Sequence, residues 1–172
     1  WTYSQKENNI YVSHGIYTSS GTEETHFSIT TNGEMKMRSA CIGRSIIFNL
    51  YDSLTFEPIK NTPVKAFGSA DSCAPYREYN FEFYYYSHSN RKIIMDFLDS
   101  IPKGTFVAAR LNADRPYDSL LVKYWKADTA VYGSGNSLYH SLLKNGFYDI
   151  DSLTRTRTFF FMFQKGDSSV FK

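Results

Sequence analysis

Five polar or amphipathic side chains interrupt segments of this sequence that are otherwise apolar. They are Arg44, Glu82, Tyr84, Tyr86 and Arg110. An unpaired charge in a buried strand is costly, so the charged members must meet a partner, face solvent or line a polar cavity. A carboxylate, an arginine and an aromatic ring together supply hydrogen bonds and ring contacts for a sugar. We therefore predict a ligand-binding site at these residues; the alternative is a structural ion pair between Glu82 and Arg110.

The two tyrosines share a strand face with Glu82, because successive side chains of a strand point to opposite faces. Tyr84 and Tyr86 are predicted to form a flat stacking surface for a sugar or a partner protein. The alternative is that both rings pack beneath a helix with their hydroxyl groups at its rim.

The remaining reactive residues do not form a catalytic or metal-binding pattern. The histidines are scattered: His14, His26, His88 and His140. Glu23 and Glu24 precede His26 on a predicted turn, where solvated side chains are expected instead of metal ligands. Asp114 and Asp118 are explained as a helix cap and a first-turn acid. We accordingly predict a protein that is not an enzyme and has no metal and no cofactor.

The glycine-rich segment at residues 133–137 has the composition of a phosphate loop but lacks its lysine. A P-loop also follows a strand, whereas this segment follows a predicted helix. It is interpreted as a linker between two helices.

A strand, a helix and a second strand are predicted within residues 78–111. The strands cover residues 80–86 and 105–111, and their length and order favour a right-handed parallel crossover. The helix, at about residues 90–100, has three candidate N-caps: Ser87, Ser89 and Asn90. Its apolar stripe consists of Ile93, Ile94, Phe97, Leu98 and Ile101. Pro102 and Gly104 end it.

Further elements complete a predicted single domain at residues 10–172. Asn32-Gly33 between alternating segments predicts a β-hairpin. Residues 45–50 and 159–163 are predicted strands, and the second, apolar on both faces, belongs in the middle of a covered sheet. Helices are expected at residues 118–127, with a stripe at Leu120, Leu121, Tyr124 and Trp125, and at residues 136–144. The fold class is α/β (α+β): a mixed β-sheet covered by helices, with an amino-terminal hairpin, a polar extension at residues 1–9 and an irregular insertion at 54–78.

Composition narrows the list of partners. The chain has 172 residues, 42% of them apolar, which suits one domain. Its 19 lysines and arginines nearly balance 17 acids and form no basic run, so nucleic acid is not an expected partner. No apolar segment approaches the length of a membrane span. Because the chain begins at Trp1, we expect a mature product or a piece of a larger protein or assembly.

The two cysteines flank apolar segments that are predicted to pair. Cys41 precedes residues 45–50 and Cys73 follows a short predicted strand at residues 64–67. If these segments form a hairpin, the two cysteines lie opposite each other at its open end. A disulfide there would stabilise the fold by about 3 kcal/mol and imply an oxidising compartment. The alternative is two free, buried thiols.

The order of these signals is similar to that of a known domain family. The matching segments are Asn32-Gly33-Glu34, Gly43-Arg44, Phe81-Glu82-Phe83-Tyr84, Phe97-Leu98, Ser100-Ile101-Pro102-Lys103-Gly104, Gly146 and Lys165-Gly166. From about residue 10 onward, the chain resembles the interleukin-like EMT inducer (ILEI-like) domain. That family includes secreted cytokine-like proteins, the stem domain of an O-mannose-linked N-acetylglucosaminyltransferase and bacterial surface proteins.

The resemblance implies a function as well as a fold. It implies a non-catalytic extracytoplasmic binding module that recognises a glycan or a protein surface within a larger secreted or surface protein. Such versions of the domain occur in Bacteroidota, some linked to type IX secretion. The alternative function is a structural spacer or docking domain in a multidomain protein of that kind.

Overall fold

Seven strands form two sheets in the part of the chain that the computed structural model describes, namely residues 9–13, 28–37, 45–61, 78–112, 120–153, 159–167 and 169. The smaller sheet contains β1 (Ile10–Ser13), β2 (Ser28–Thr31) and β3 (Glu34–Met37) in that order. The larger sheet contains β4 (Ser45–Tyr51), β5 (Phe81–Tyr84), β6 (Phe106–Asn112) and β7 (Phe160–Gln164). Its strands lie in the order β5-β4-β6-β7. Together with the helices, the two sheets give an α+β fold, which confirms the predicted class.

The predicted strand–helix–strand unit is present, but its two strands are not neighbours. β4 lies between β5 and β6 and is antiparallel to both, so β5 and β6 run parallel without pairing. β7 is antiparallel to β6. The parallel direction of the predicted crossover is thus confirmed, although all hydrogen-bonded neighbours among the described strands are antiparallel. The crossover has room for a third strand, and the fully buried β4 occupies that place.

Helix α1 (His88–Ser100) connects β5 to β6 and covers one face of the larger sheet. Of the three candidate caps, Ser87 is the N-cap, because its side chain accepts a hydrogen bond from the Asn90 N–H group. The helix ends at Ile101, directly before Pro102, as predicted. The apolar stripe needs one correction: Ile93 is exposed, and Met95 is buried in its place. Position 93 points away from the sheet because it is offset from the 91, 94, 95, 98 repeat.

The remaining helices pack on the same side of the sheet. They are α2 (Leu121–Ala127), the single turn α3 (Thr129–Tyr132), α4 (Leu138–Lys144) and a 3₁₀ helix (Tyr148–Ser152). Leu121 and Trp125 form the buried stripe of α2, whereas Leu120 and Tyr124, predicted to share it, are exposed. Residues 133–136 separate α3 from α4, as expected of a linker.

The aromatic ring of Phe97 is the centre of the contact between α1 and the sheet. Its centroid lies 4.9 Å from that of Phe83, 5.2 Å from that of Phe81 and 5.4 Å from that of Phe48. Such offset or tilted ring pairs each contribute about 0.5–1.5 kcal/mol beyond the area they bury.

The Asn32-Gly33 hairpin is confirmed. Asn32 has φ 51° and Gly33 has φ 84°, the pair of positive angles that a two-residue hairpin turn needs. The side chain of Asn32 accepts a hydrogen bond from the Asn9 N–H group, and the Asn32 N–H group donates to the Asn9 carbonyl. These two bonds attach the start of β1 to the turn.

The opposite face of the larger sheet is also covered by apolar side chains. Ile10 and Val12 of β1 belong to a cluster with Phe160 and Met162 of β7, around the buried Tyr51 and Ala108. The other face of β7 contacts the helices through Phe161, whose ring stacks on Phe147. The final strand is thus covered on both sides, as its sequence predicts. Its predicted place in the middle of the sheet is wrong, because β7 ends the order of the described strands.

Two of the segments that resemble the ILEI-like domain meet at the carboxyl end of α1. They are residues 100–104 and residues 165–166. The Gly104 N–H group donates to the Lys165 carbonyl, and the Lys165 N–H group donates to the Thr105 carbonyl, both at 2.8 Å. The ammonium group of Lys165 donates to the Leu98 carbonyl at 2.6 Å and so satisfies one of the last carbonyls of the helix. Burial lowers the pKa of Lys165. Both motifs therefore have a structural role in this fold.

Several expectations concern residues outside the described ranges. They are residues 1–8 of the predicted polar extension, the predicted strand at residues 64–67, and the predicted disulfide between Cys41 and Cys73. Of the predicted insertion, residues 54–61 are irregular apart from a bridge between Tyr51 and Pro58. The Ile59 N–H group donates to the Leu50 carbonyl, and the Asn61 N–H group donates to the Glu78 carbonyl.

The contact made by Phe97 predicts a large difference between two substitutions in α1. Phe97→Ala should lower the free energy of unfolding by about 3–5 kcal/mol, since it leaves a cavity among three rings. Ile93→Ala, on the exposed face of the same helix, should change it by less than about 0.5 kcal/mol. Urea unfolding followed by circular dichroism measures both. Equal effects would contradict the packing described here.

Candidate functional site

The structure separates the predicted site residues into a buried pair and an exposed pair. Glu82 and Arg110 are each 1% exposed, whereas Tyr84 is 43% exposed and Tyr86 50%. Arg44 lies outside the described residues. Among the predicted site residues within the described ranges, the tyrosines are therefore the ones exposed to a ligand, and the two buried charges need a separate explanation.

Glu82 and Arg110 lie on one face of the sheet with a single residue between them. Ile47 of β4 is the register partner of Glu82 on one side and of Arg110 on the other. Asn80 connects the two charged groups: its Nδ2 atom donates to Glu82 Oε1 at 2.8 Å, and its Oδ1 atom accepts from Arg110 Nη2 at 3.4 Å. The charges are thus linked through an amide within the protein interior.

Two further asparagines converge on Asn80. Asn49 Nδ2 donates to Asn80 Oδ1 at 2.9 Å and to the Tyr79 carbonyl at 2.7 Å. Asn61 Nδ2 donates to the Asn80 carbonyl at 3.1 Å. This buried network attaches the segment before β5 to β4 and to the irregular segment ending at Asn61. Buried polar groups that bond to one another fix a local arrangement of the chain. The network accounts for Glu82 and Arg110 as structural residues.

Tyr51 lies on the same face, at the contact with the smaller sheet. Burial raises the pKa of Tyr51 to about 12, although a hydrogen bond with Thr31 and the positive charge of Arg110 act in the opposite direction. The folded protein therefore strongly favours the neutral phenol at this position.

Tyr84 and Tyr86 lie side by side at the carboxyl end of β5. Their rings are nearly parallel, with an interplanar angle of 26° and centroids 5.8 Å apart. Tyr85, between them in sequence, points inward and contacts Trp125 edge-on at 6.1 Å. The alternation that buries Tyr85 turns its two neighbours toward solvent. The two half-exposed rings thus stack on each other, and their role as a surface for a sugar or a partner protein stays a prediction.

A buried ion pair lies directly behind this tyrosine pair. Arg91 Nε donates to Asp128 Oδ2 at 2.8 Å, and Arg91 Nη2 donates to Asp128 Oδ1 at 2.7 Å. The two side chains are almost completely buried. Two parallel hydrogen bonds between a guanidinium group and a carboxylate have a strict geometry. They fix the start of α1 relative to the junction between α2 and α3.

The remaining nitrogen of the same guanidinium group holds the backbone under the tyrosines. Arg91 Nη1 donates to the Tyr85 carbonyl at 2.9 Å and to the Tyr86 carbonyl at 2.8 Å. These carbonyls lie beyond the last residue of β5. Arg91 thus determines where the exposed tyrosine rings stand.

His88 completes the candidate site. Its Nδ1 atom lies 2.5 Å from Asp128 Oδ1, and its side chain is 49% exposed. Asp128 is ionised in its pair with Arg91 and can only accept, so we assign the proton of this contact to Nδ1. The imidazole is held through Nδ1, and about half of the side chain is exposed. We define the tyrosine–histidine patch as Tyr84, Tyr86 and His88.

Sequence reasoning found the two tyrosines but missed His88, Arg91 and Asp128. A signal for two of them was present. Arg91 falls on the same helical repeat as Ile94 and Leu98, and Asp128 falls three residues after the buried Trp125. A charged residue on an apolar stripe predicts a buried partner of opposite charge. His88 carries no such signal, because its role depends on Asp128, 40 residues away.

The other polar candidates do not converge on the patch. His140 Nδ1 is 2.7 Å from Ser137 Oγ, and the same oxygen accepts the His140 N–H group at the start of α4. No group of three or more potential metal ligands occurs among the described residues. Within the same ranges, no helix has both the length and the apolar character of a membrane span. The remaining candidates, His14, Glu23, Glu24, His26, Asp114 and Asp118, lie outside these ranges.

Comparisons with known proteins do not assign the chain to a family. No protein-family model and no curated protein sequence matches it. The resemblance to the ILEI-like domain stays a prediction based on motifs.

The ion pair behind the patch predicts a strong dependence of stability on Asp128. Asp128→Ala leaves the Arg91 guanidinium buried without its carboxylate, which should lower the free energy of unfolding by about 3–5 kcal/mol. Asp151→Ala is the matched control, since it removes an exposed carboxylate bound to Lys126 and Tyr139 and should change stability little. Urea unfolding compares the two variants. Similar losses in both would contradict a structural role of the buried pair.

Tyr51 predicts a specific loss of stability in alkali. Its raised pKa stabilises the folded state fully below pH 10, and this contribution disappears as the pH rises from about 10 to about 12, a loss of about 3 kcal/mol. Tyr51→Phe has no proton to lose, so its free energy of unfolding should fall less over that interval than that of the wild type. Urea unfolding at a series of pH values measures the difference. The exposed Tyr148 supplies the control, Tyr148→Phe, and parallel curves for wild type and Tyr51→Phe would refute the assignment.

Proposed function

We propose that this chain is a non-catalytic binding module that recognises a glycan through the tyrosine–histidine patch. The observation that carries the proposal is the pair of half-exposed, nearly parallel rings of Tyr84 and Tyr86 on a backbone held by Arg91. A pyranose presents an apolar face of C–H groups and a rim of hydroxyl groups. An exposed tyrosine offers a matching ring face and a polar hydroxyl.

Rigidity supports binding at this surface. A tyrosine ring has only two side-chain torsions to immobilise, so it supplies a large contact area at small entropic cost. The backbone beneath these rings is fixed by Arg91, and less ordering is needed when a ligand arrives. A shallow patch of this kind fits a sugar residue or the end of an oligosaccharide chain.

The hydroxyl groups nearest to His88 in sequence are engaged within the protein, which favours binding over nucleophilic catalysis. Ser87 Oγ caps α1 and contacts Asn90 Oδ1, and Ser89 Oγ is 2.8 Å from Ser87 Oγ. A serine nucleophile needs its hydroxyl directed at the activating base. Here both hydroxyls complete the cap of the helix instead.

The cellular setting belongs to the same proposal. Glycans that a binding module can reach occur mainly outside the cytoplasm. The resemblance to the ILEI-like domain likewise points to an extracytoplasmic module of a larger secreted or surface protein. A protein surface rich in hydroxyl and apolar groups is the second kind of partner that the patch fits.

An oligosaccharide array followed by calorimetry on the best binder tests the proposal. Tyr84→Ala and Tyr86→Ala should each weaken binding roughly three- to tenfold, since each removes one ring contact. Tyr148→Ala removes an exposed tyrosine from the 3₁₀ helix and is the matched control. Absence of binding by the folded wild type would exclude the glycan function and favour the structural spacer. Unchanged binding in both ring variants would place the site elsewhere.

A further inference from the structure

Asp128 and Arg91 hold His88 in one orientation and favour a single tautomer. Asp128 receives two hydrogen bonds from Arg91 and one from His88 Nδ1. Arg91 Nη2 lies 3.3 Å from the same Nδ1 atom, but a guanidinium group cannot accept a proton. The Nδ1 proton therefore points to Asp128. In the neutral imidazole, Nε2 is left as a hydrogen-bond acceptor.

Arg91 links the imidazole to the backbone of the tyrosine pair. One guanidinium group contacts both the Tyr86 carbonyl, at 2.8 Å, and the carboxylate that holds His88. The imidazole and the Tyr86 backbone are thus attached to the same rigid group.

The charged groups of the first turns of α1 are already paired. Asp128 and Arg91 neutralise each other in the interior, and Lys92 forms an ion pair with Asp96 one turn along the helix. The patch itself consists of two phenols and one imidazole. Such a surface offers hydrogen-bond acceptors and ring faces without a fixed charge for an acidic sugar.

We propose that His88 determines the specificity of the patch, and that its Nε2 atom accepts a hydrogen bond from a hydroxyl group of a neutral saccharide stacked on Tyr84 or Tyr86. This inference rests on the proposed glycan-binding function and adds the class of ligand: an uncharged sugar with a free hydroxyl at the edge of its stacked ring. Asp128 acts as a positioning residue, because it fixes the tautomer that makes Nε2 an acceptor.

Two isosteric substitutions separate the roles of the ring nitrogens. The amide of asparagine occupies the position of Nδ1, so His88→Asn keeps the contact with Asp128 and loses the acceptor. The amide of glutamine reaches the position of Nε2, so His88→Gln keeps an acceptor and loses that contact. His88→Ala removes both, and His140→Ala is the control for loss of a half-buried histidine at another helix start.

The probes are immobilised neutral oligosaccharides of glucose, galactose, mannose and N-acetylglucosamine, together with uronic-acid counterparts. The wild type should prefer a neutral member. His88→Ala and His88→Asn should weaken that binding roughly three- to tenfold, as expected for one lost hydrogen bond, and His88→Gln should retain more of it. Deoxy versions of the preferred sugar each lack one hydroxyl group. One of them should bind the wild type more weakly than the parent sugar does, but should bind His88→Ala as tightly as the parent sugar does. Nitrogen-15 NMR of the imidazole should show the proton on Nδ1.

The results distinguish failure of this inference from failure of the glycan function. If binding depends on Tyr84 or Tyr86 but is unchanged in His88→Ala, the role of His88 is overturned and the glycan function stands. Preference for uronic acids, or an imidazole proton on Nε2, also overturns it. If no oligosaccharide binds the folded wild type, the glycan function fails and this inference fails with it.

Discussion

The ion pair between Arg91 and Asp128 is the constraint on which the exposed site depends. Burying two charges carries a desolvation cost of several kcal/mol per ion, which is offset only when geometry is good and every remaining donor is bonded. Arg91 satisfies most of its donors by adding two backbone carbonyls to its carboxylate partner. The same bonds that make its burial tolerable therefore also fix β5, α1 and the α2–α3 junction relative to one another.

A second buried network acts on the other face of the sheet in the same way. Asn80 joins Glu82 to Arg110 and receives bonds from Asn49 and Asn61. It adds side-chain bonds to the few backbone bonds that attach the irregular segments to the strands. Both polar clusters thus operate at places where regular secondary structure ends. Specifying one arrangement of such segments is a recognised use of buried polar groups.

Much of the fold, but only part of the candidate site, could be predicted from the sequence. Asn32-Gly33 and the Ser87 cap act over a few residues, so local chemistry was enough to predict them. The place of β4 between β5 and β6 depends on pairs of residues that are more than thirty positions apart in sequence. The local sequence pattern does not predict which distant strands pair. The sequence marks Glu82 and Arg110 as charged residues in apolar strands. It does not show that both are buried in a network with asparagine side chains from distant segments. His88 acquires its role from Asp128, and no spacing in the chain connects the two.

The division between buried and exposed residues in one short segment gives the site its physical character. Tyr85 is committed to the core through Trp125, and strand alternation then leaves Tyr84 and Tyr86 no inward position. Exposure of two large rings is unfavourable by itself, yet it follows from anchoring the residue between them. Exposed and buried rings thus alternate along the same strand end.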